Sequence, residues 1–423
     1  MTRDQLNIVK LTALGGILEF YDFTIYALFA PYLSYHFFAN TNVLISLINT
    51  FAVFALGYLA RPIGGIVFGH LGDKFGRKRA FSLAVFLMAL ATLLIGCLPS
   101  YQTIGSIATL ILILLRLLQG FSVGGEIPGA AIFIIEHVAK ARHGFSIGFV
   151  FMSITLGNTL GAIVGLFLTT MLSENQMMAW GWRIPFILGF ILGLISFIIR
   201  RKVIETPVFL KLQEQKKTQQ IPLFNVLKMS RPALINGFLL SAVPASIISL
   251  FLYLPSYLTN FVGIKISYTY WLNLLSFLGF ALMTVFAGWL SDYFSRQKLF
   301  LGATLSLIFL SYFLFYNLTA QGEIFLLPFL AGFVLLGGLI NGSYVVLLVE
   351  SFPPSLRYSG VGLSYSLGVA LFGGIAPLGF TWLIQTFDCN EAPAFYLIGS
   401  AVFTFIAVIN LSFKAKAKII EAI

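Results

Sequence analysis

The chain has 423 residues, 59% of them apolar and only 10% charged, with a mean hydropathy of +0.95. Soluble domains carry roughly 25% charged residues, and no soluble core can hide this much apolar surface, so the composition requires a membrane. The net charge of +11 then reads as a basic rim facing anionic lipid headgroups, with no need of nucleic acid.

A stretch of about 20 apolar residues crosses the roughly 30 Å hydrocarbon layer as a helix, because a helix satisfies its own backbone hydrogen bonds there. Twelve such spans are predicted, at 9–35, 43–70, 80–98, 104–135, 144–172, 184–200, 231–259, 267–290, 298–317, 323–349, 358–386 and 392–413. The first follows Arg3 and Lys10 closely, carries Glu19 and Asp22 and lacks a small-residue cleavage site, so it reads as a retained helix and not a signal peptide. Glu19 and Asp22 are three residues apart and share a face, which Tyr26 continues one turn on. The second span carries Arg61 in its inner half, with Gly57, Gly64, Gly65 and Gly69 at spacings that let a neighbouring helix pack closely or slide. The fourth carries Arg116 towards its outer end, Gln119 on a nearby face and Glu126 nearly three turns deeper. The fifth repeats the glycine spacing at Gly157, Gly161 and Gly165.

Orientation follows from Lys and Arg, which collect in cytoplasmic loops. With the N terminus inside, 22 of the 26 fall on the inner side, Arg183 and Lys265 fall outside, and Arg61 and Arg116 stay within the membrane. Cys97 and Cys389 both map near the outer surface, where two free thiols are favoured over a disulfide.

The one long polar stretch, 201–230, divides an N-terminal six-helix bundle (1–200) from a C-terminal one (231–423) as a cytoplasmic linker. Weak repetition supports two matching halves: GHLGDKFGRKR from Gly69 to Arg79 answers GWLSDYFSRQK from Gly288 to Lys298, and IEHVAKARHG around Glu136 and Arg142 answers VESFPPSLRYSG around Glu350 and Arg357. Parallel repeats of this kind build large secondary transporters. The predicted class is thus an all-α membrane protein of twelve helices in two bundles, both termini cytoplasmic.

Six motifs then carry a family resemblance: LEFYDFTIY, ARPIGGIVFGHLGDKFGRK, RLLQGFSVGGEIPGAA, GWRIPFILG, ETPVF and ESFPPSLRYSGVGLSYSLGVALFGGIAP. Together they resemble the major facilitator superfamily, and within it the metabolite:proton symporter branch that includes proline/betaine, citrate, alpha-ketoglutarate and shikimate carriers. The resemblance implies a cytoplasmic gate in which Asp73 and Arg77, next to Gly69 and Gly76, join Glu136 and Arg142, with Asp292, Arg296, Glu350 and Arg357 as second-half counterparts. Two departures stand out. Ser295 replaces the glycine at Gly76, without the paired bases that follow it in the first half, and the chain ends soon after Lys418 without the coiled-coil extension of some osmosensing carriers.

A charge at mid-bilayer costs roughly 2.5–3.5 kcal/mol on insertion scales, so Glu19, Asp22, Arg61, Arg116 and Glu126 are the leading candidates for function. Three carboxylates against two arginines leave one negative charge over, and a buried carboxyl relieves that by taking up a proton. One of Glu19, Asp22 and Glu126 is therefore expected to cycle with the substrate, permanent ion pairing being the plain alternative. Arg116, then Arg61, would hold a substrate carboxylate through the guanidinium fork. Tyr26, Tyr253, Tyr344 and Tyr365 could face an ammonium, although each tyrosine alone reads as packing or an interfacial anchor. The second half offers no mid-span Lys, Arg or His, which favours a proline- or betaine-like zwitterion over a dicarboxylate, tricarboxylate or shikimate-type acid. A multidrug exporter or transporter-like sensor fits less well, since buried charges suit a small polar solute and no added soluble domain is evident. The four histidines, His36, His70, His137 and His143, fall near span ends or in loops without metal-ligand spacing, so neither an enzyme nor a cofactor is expected. The partners expected are the solute, protons and the lipid bilayer of a bacterial inner membrane, with the monomer as working unit.

Overall fold

The computed structural model describes residues 6, 9–10, 12–13, 16–17, 21–22, 24–26, 29–38, 43–202, 205–214, 231–264 and 266–420. Glu19, Lys265 and the linker from 215 to 230 lie outside these, and so does the side chain of Glu126, whose backbone belongs to a helix. Every regular element among the described residues is helical. In chain order the main ones are α1 (Ala30–Phe37), α2 (Val43–Phe75), α3 (Arg77–Cys97), α4 (Ser106–His137), α5 (His143–Met171), α6 (Ile184–Lys202) and α7 (Pro207–Glu214). They continue with α8 (Arg231–Leu240), α9 (Ala242–Asn260), α10 (Ile266–Tyr293), α11 (Arg296–Gln321), α12 (Leu326–Glu350), α13 (Arg357–Gly368), α14 (Ala376–Phe387) and α15 (Pro393–Ile420). Ten helical segments are long and apolar enough to cross a bilayer, one of them holding both α11 and α12. Large apolar side chains such as Ile163, Leu166, Leu282 and Phe309 stay exposed on their outer faces, as a lipid-facing surface requires.

Where helices differ from the predicted spans, local chemistry accounts for it. The seventh span breaks at Ser241 into α8 and α9; the Ser241 hydroxyl bonds back to the Gly237 carbonyl at 2.9 Å, and Pro244 removes a donor from the next turn. The eleventh is interrupted by a π-helical turn, Val369–Gly374. Its loosened carbonyls are capped by side chains: Tyr396 and Ser246 donate to Phe372 O at 3.0 and 3.4 Å, and Ser249 donates to Gly373 O at 2.7 Å. Such turns recur at functional sites.

Lipid tails are as apolar as the helices, so association depends on close packing and small residues. A Cβ on Gly120 would run into the backbone of Gly57, which brings α2 and α4 into main-chain contact; Gly144 and Gly288 do the same for α5 and α10. The halves of the chain meet along two seams, α2 with α13 and α5 with α10. Both seams are drawn tight at the end that carries the basic loops.

Candidate functional site

Three of the five predicted membrane charges have described side chains, and all three are buried: Asp22, Arg61 and Arg116. Arg116 Nη1 donates to Gln119 Oε1 at 2.8 Å, one turn along α4. Gln119 Nε2 donates to the Thr92 hydroxyl at 2.7 Å, and that hydroxyl faces both Asp22 Oδ2 at 2.9 Å and Met88 O at 3.0 Å. Asp22 and Arg116 are thereby joined through two neutral side chains. The Thr92 hydroxyl has one proton and two acceptors, so it turns to an ionised Asp22 and is released to Met88 O when Asp22 is protonated.

The guanidiniums stack on aromatic rings. Arg116 lies 4.1 Å from the Tyr26 ring and 5.1 Å from Phe54, and Arg61 lies 4.0 Å from the ring of Tyr58 one turn earlier on α2. Arg61 and Arg116 are within electrostatic reach of each other. Aromatic faces help to hold a guanidinium out of water, and here they gather both arginines at one corner of α2 and α4. Gly374, at the end of the π turn, packs on the Tyr58 ring and brings the second half of the chain against it. Tyr365 is buried and hydrogen-bonds Tyr344, whose ring lies edge-on to Phe151 of α5. Among the described residues, no cluster of His, Cys, Asp and Glu could hold a metal ion.

At the basic end, two clusters lock the seams. In the first, Asp73 Oδ2 and Oδ1 accept from the backbone N–H of Ser359 at 2.8 Å and Tyr358 at 3.3 Å, capping the start of α13. Arg77 pairs with Asp73 at 2.7 Å and Glu136 at 3.6 Å and donates to Pro354 O at 2.8 Å, while Arg357 Nη1 reaches Glu136 at 3.3 Å. The second cluster mirrors it. Asp292 accepts from the backbone N–H of Gly144 at 2.7 Å and Phe145 at 2.9 Å at the start of α5, and Arg296 bonds Asp292, Glu350 and Lys140 O. His143 faces Glu350 at 3.3 Å.

Arg142, expected beside Glu136, is not there: it donates to Tyr293 Oη at 3.3 Å, and Arg357 of the other half takes the place. Gly69 packs on the Ser359 backbone, and Gly76 has φ +113° with the Glu205 carboxylate against it, whereas Ser295 has φ −60° and needs no glycine. Sequence reading passed over Thr92, Tyr58 and Phe54, and it gave no role to ETPVF. Yet Glu205 accepts from Lys78 N at 3.1 Å, Thr206 donates to Glu136 Oε2 at 2.7 Å, and Phe209 lies under Arg77 at 5.3 Å. The two cysteines are free thiols.

The chain is 33% identical to the inner membrane metabolite transport protein YhjE of Escherichia coli (strain K12), covering 96% of this chain and 94% of that one. It is 31% identical to the proline/betaine transporter of Salmonella typhimurium (strain LT2), covering 95% and 82%. Its fold is that of the proton:xylose symporter XylE bound to 6-bromo-6-deoxy-D-glucose, at a TM-score of 0.79 and 18% identity over 96% and 94% of the two chains. The fit to the inward-open conformation of XylE from E. coli is looser, at 0.66. With the Major Facilitator Superfamily model matched over residues 12–377, the chain belongs to the major facilitator superfamily.

Proposed function

We propose that this protein is a proton-coupled carrier that takes up a small zwitterion of the proline or betaine type by alternating access. The observation that carries the reading is the pair of arginines, Arg61 and Arg116, held on Tyr58, Tyr26 and Phe54, with Arg116 tied to Asp22 through Gln119 and Thr92. The arginines hold the solute carboxylate, with Tyr26 and Tyr365 beside the path. A proton on Asp22 releases the Thr92 hydroxyl and loosens the tie to Gln119, so proton and solute occupancy bias each other. One of Glu19, Asp22 and Glu126 carries the proton, and Asp22 is the one whose tie to Arg116 is described. The names of the relatives, for proline/betaine and metabolite transport, support the substrate class.

Asp73, Arg77, Glu136 and Arg357 with Gly69 and Gly76, and Asp292, Arg296 and Glu350 with Arg142 at their edge, form the gate. In this conformation its contacts cross between the halves and close it. Twelve spans, bundles at 1–200 and 231–423 joined by a linker at 201–230, cytoplasmic termini, a bacterial inner membrane and a monomeric working unit complete the reading. Two adjacent guanidiniums also suit an organic dicarboxylate, which is the second reading.

The test is uptake into proteoliposomes under an imposed pH gradient, with proline, betaine, alpha-ketoglutarate, citrate and shikimate as competitors. Gradient-driven proline or betaine uptake, lost in Asp22→Asn while counterflow exchange survives, is the expected result. Competition by organic acids alone would reverse the choice of substrate, and uptake indifferent to the gradient would remove the coupling.

A further inference from the structure

Asn341 lies within α12, the second-half helix that touches both α4 and α5 of the first half as well as α9 and α10. It is 3% exposed, and its Oδ1 receives no hydrogen bond. The other polar side chains buried on this helix are satisfied: Ser343 donates to Leu339 O at 2.7 Å, and Tyr344 bonds Tyr365. A buried amide oxygen left unpaired costs roughly 1–3 kcal/mol, and a leucine would fill the same volume without that cost. The position is therefore unexplained by packing.

Its surroundings point to the transport path. Asn341 shares a helix face with Gly337, Tyr344 and Leu348. Gly337 packs on Ile247 and Phe280, Leu348 packs on Gly237, and Tyr344 meets Tyr365 and Phe151 of the first half. At 1.5 Å per residue, Asn341 stands about 13 Å above Glu350 and Arg61 about 18 Å above Asp73, so amide and guanidinium lie within roughly one helical turn in depth.

We propose that Asn341 Oδ1 accepts an N–H of the transported solute. This rests on the zwitterion reading above and makes it specific: an ammonium that carries hydrogen, as in proline, satisfies the oxygen, whereas the quaternary nitrogen of betaine cannot. A site that hydrogen-bonds an N–H discriminates strongly against analogues lacking it, because its own buried acceptor is left unpaired. Asn341 is then the residue of the second half that selects between the two kinds of zwitterion.

The experiment measures uptake of labelled proline and labelled betaine by proteoliposomes of wild type, Asn341→Leu and Asn341→Asp, each checked for a monodisperse size-exclusion profile. In Asn341→Leu the KM for proline should rise about tenfold or more, with betaine within about twofold; retained betaine uptake also certifies the fold. Asn341→Asp keeps the acceptor oxygens and should retain proline uptake. Equal losses for both solutes in Asn341→Leu, with proline also lost in Asn341→Asp, would mean that the amide donates to the carboxylate and would overturn the assignment. Unchanged uptake of both by Asn341→Leu would overturn it as well. Uptake of neither solute by wild type would bring down the substrate reading, and this assignment with it.

Discussion

The second-half gate loop lacks the glycine and paired bases of the first, yet its aspartate should be the stronger lock. Asp292 holds the N–H groups of Gly144 and Phe145 at 2.7 and 2.9 Å, while Asp73 holds those of Ser359 and Tyr358 at 2.8 and 3.3 Å. Only bonds that cross between the halves count in the opening equilibrium, and all four do. A hydrogen bond to a charged group contributes roughly 1.5–3 kcal/mol, so at the low end Asp292→Ala removes about 3 kcal/mol and shifts the equilibrium by roughly 150-fold. With one bond stretched, Asp73→Ala removes about 2 kcal/mol, or roughly 30-fold. The reporter is Ser359→Cys, buried in the α2–α13 seam and not in the α5–α10 seam that Asp292 caps, in a background with Cys97 and Cys389 replaced by serine. An impermeant maleimide applied to inverted membrane vesicles should label it faster in Asp292→Ala in proportion to the open population. An unchanged labelling rate would refute the lock.

Three further outcomes follow from the same geometry. Gly76→Ala forces a side chain onto φ +113° against Glu205 and should cost about 1–3 kcal/mol, read as a lower melting temperature in detergent; Ser295→Gly, at φ −60°, should stay within about 1 kcal/mol of wild type. Thr206→Val removes the donor to Glu136 Oε2, a bond that does not cross between the halves, and should cost roughly 1–2 kcal/mol, read as a lower melting temperature in detergent with reporter labelling nearly unchanged. Burial and the hydrogen bond to Glu391 push the Cys389 thiol up, leaving less thiolate at neutral pH; since Cys97 is also the more exposed, maleimide should modify Cys97 first, and raising the pH should narrow the gap.

The span pattern was legible because bilayer thickness and hydropathy leave few alternatives, and Asp22, Arg61 and Arg116 were legible because charge there is expensive. Thr92 and Tyr58 were not. A hydroxyl or a phenol inside an apolar helix carries no distinguishing cost, and only the fold reveals that Thr92 bridges Gln119 to Asp22 or that Tyr58 underlies Arg61. Partner choice at the gate was also hidden. The resemblance places Arg142 with Glu136, but the inner ends of α2 and α13 meet, as do those of α5 and α10, so charges pair across the halves and Glu136 takes Arg357. The π turn was invisible because VALFGG (369–374) reads as ordinary helix; its stability comes from Ser246, Ser249 and Tyr396 on other helices.

The glycine spacing on the second span left static packing and sliding equally open, and the geometry separates them along one ridge. Gly57, Arg61, Gly65, Gly69 and Asp73 recur every four residues, and each such step advances about 40° around the helix. The ridge therefore winds from one neighbour to another: Gly57 and Arg61 abut Arg116, Gly120 and Gly124 of α4, whereas Gly65, Gly69 and Asp73 abut Gly362 and Ser359 of α13. The outer part fastens α2 within its own half, and the inner part touches the half it must leave when the gate opens. Gly64 also sits against the Phe121 backbone of α4. An added methyl should then act differently at each end. Gly64→Ala should lower the melting temperature, by strain of about 1–3 kcal/mol. Gly69→Ala, pressing on Ser359, should leave the melting temperature nearly unchanged and instead raise labelling of Ser291→Cys, which is buried in the opposite seam. If Gly69→Ala destabilised the protein as Gly64→Ala does and left Ser291→Cys protected, the inner ridge would be static packing and α2 would not part from α13 as a unit.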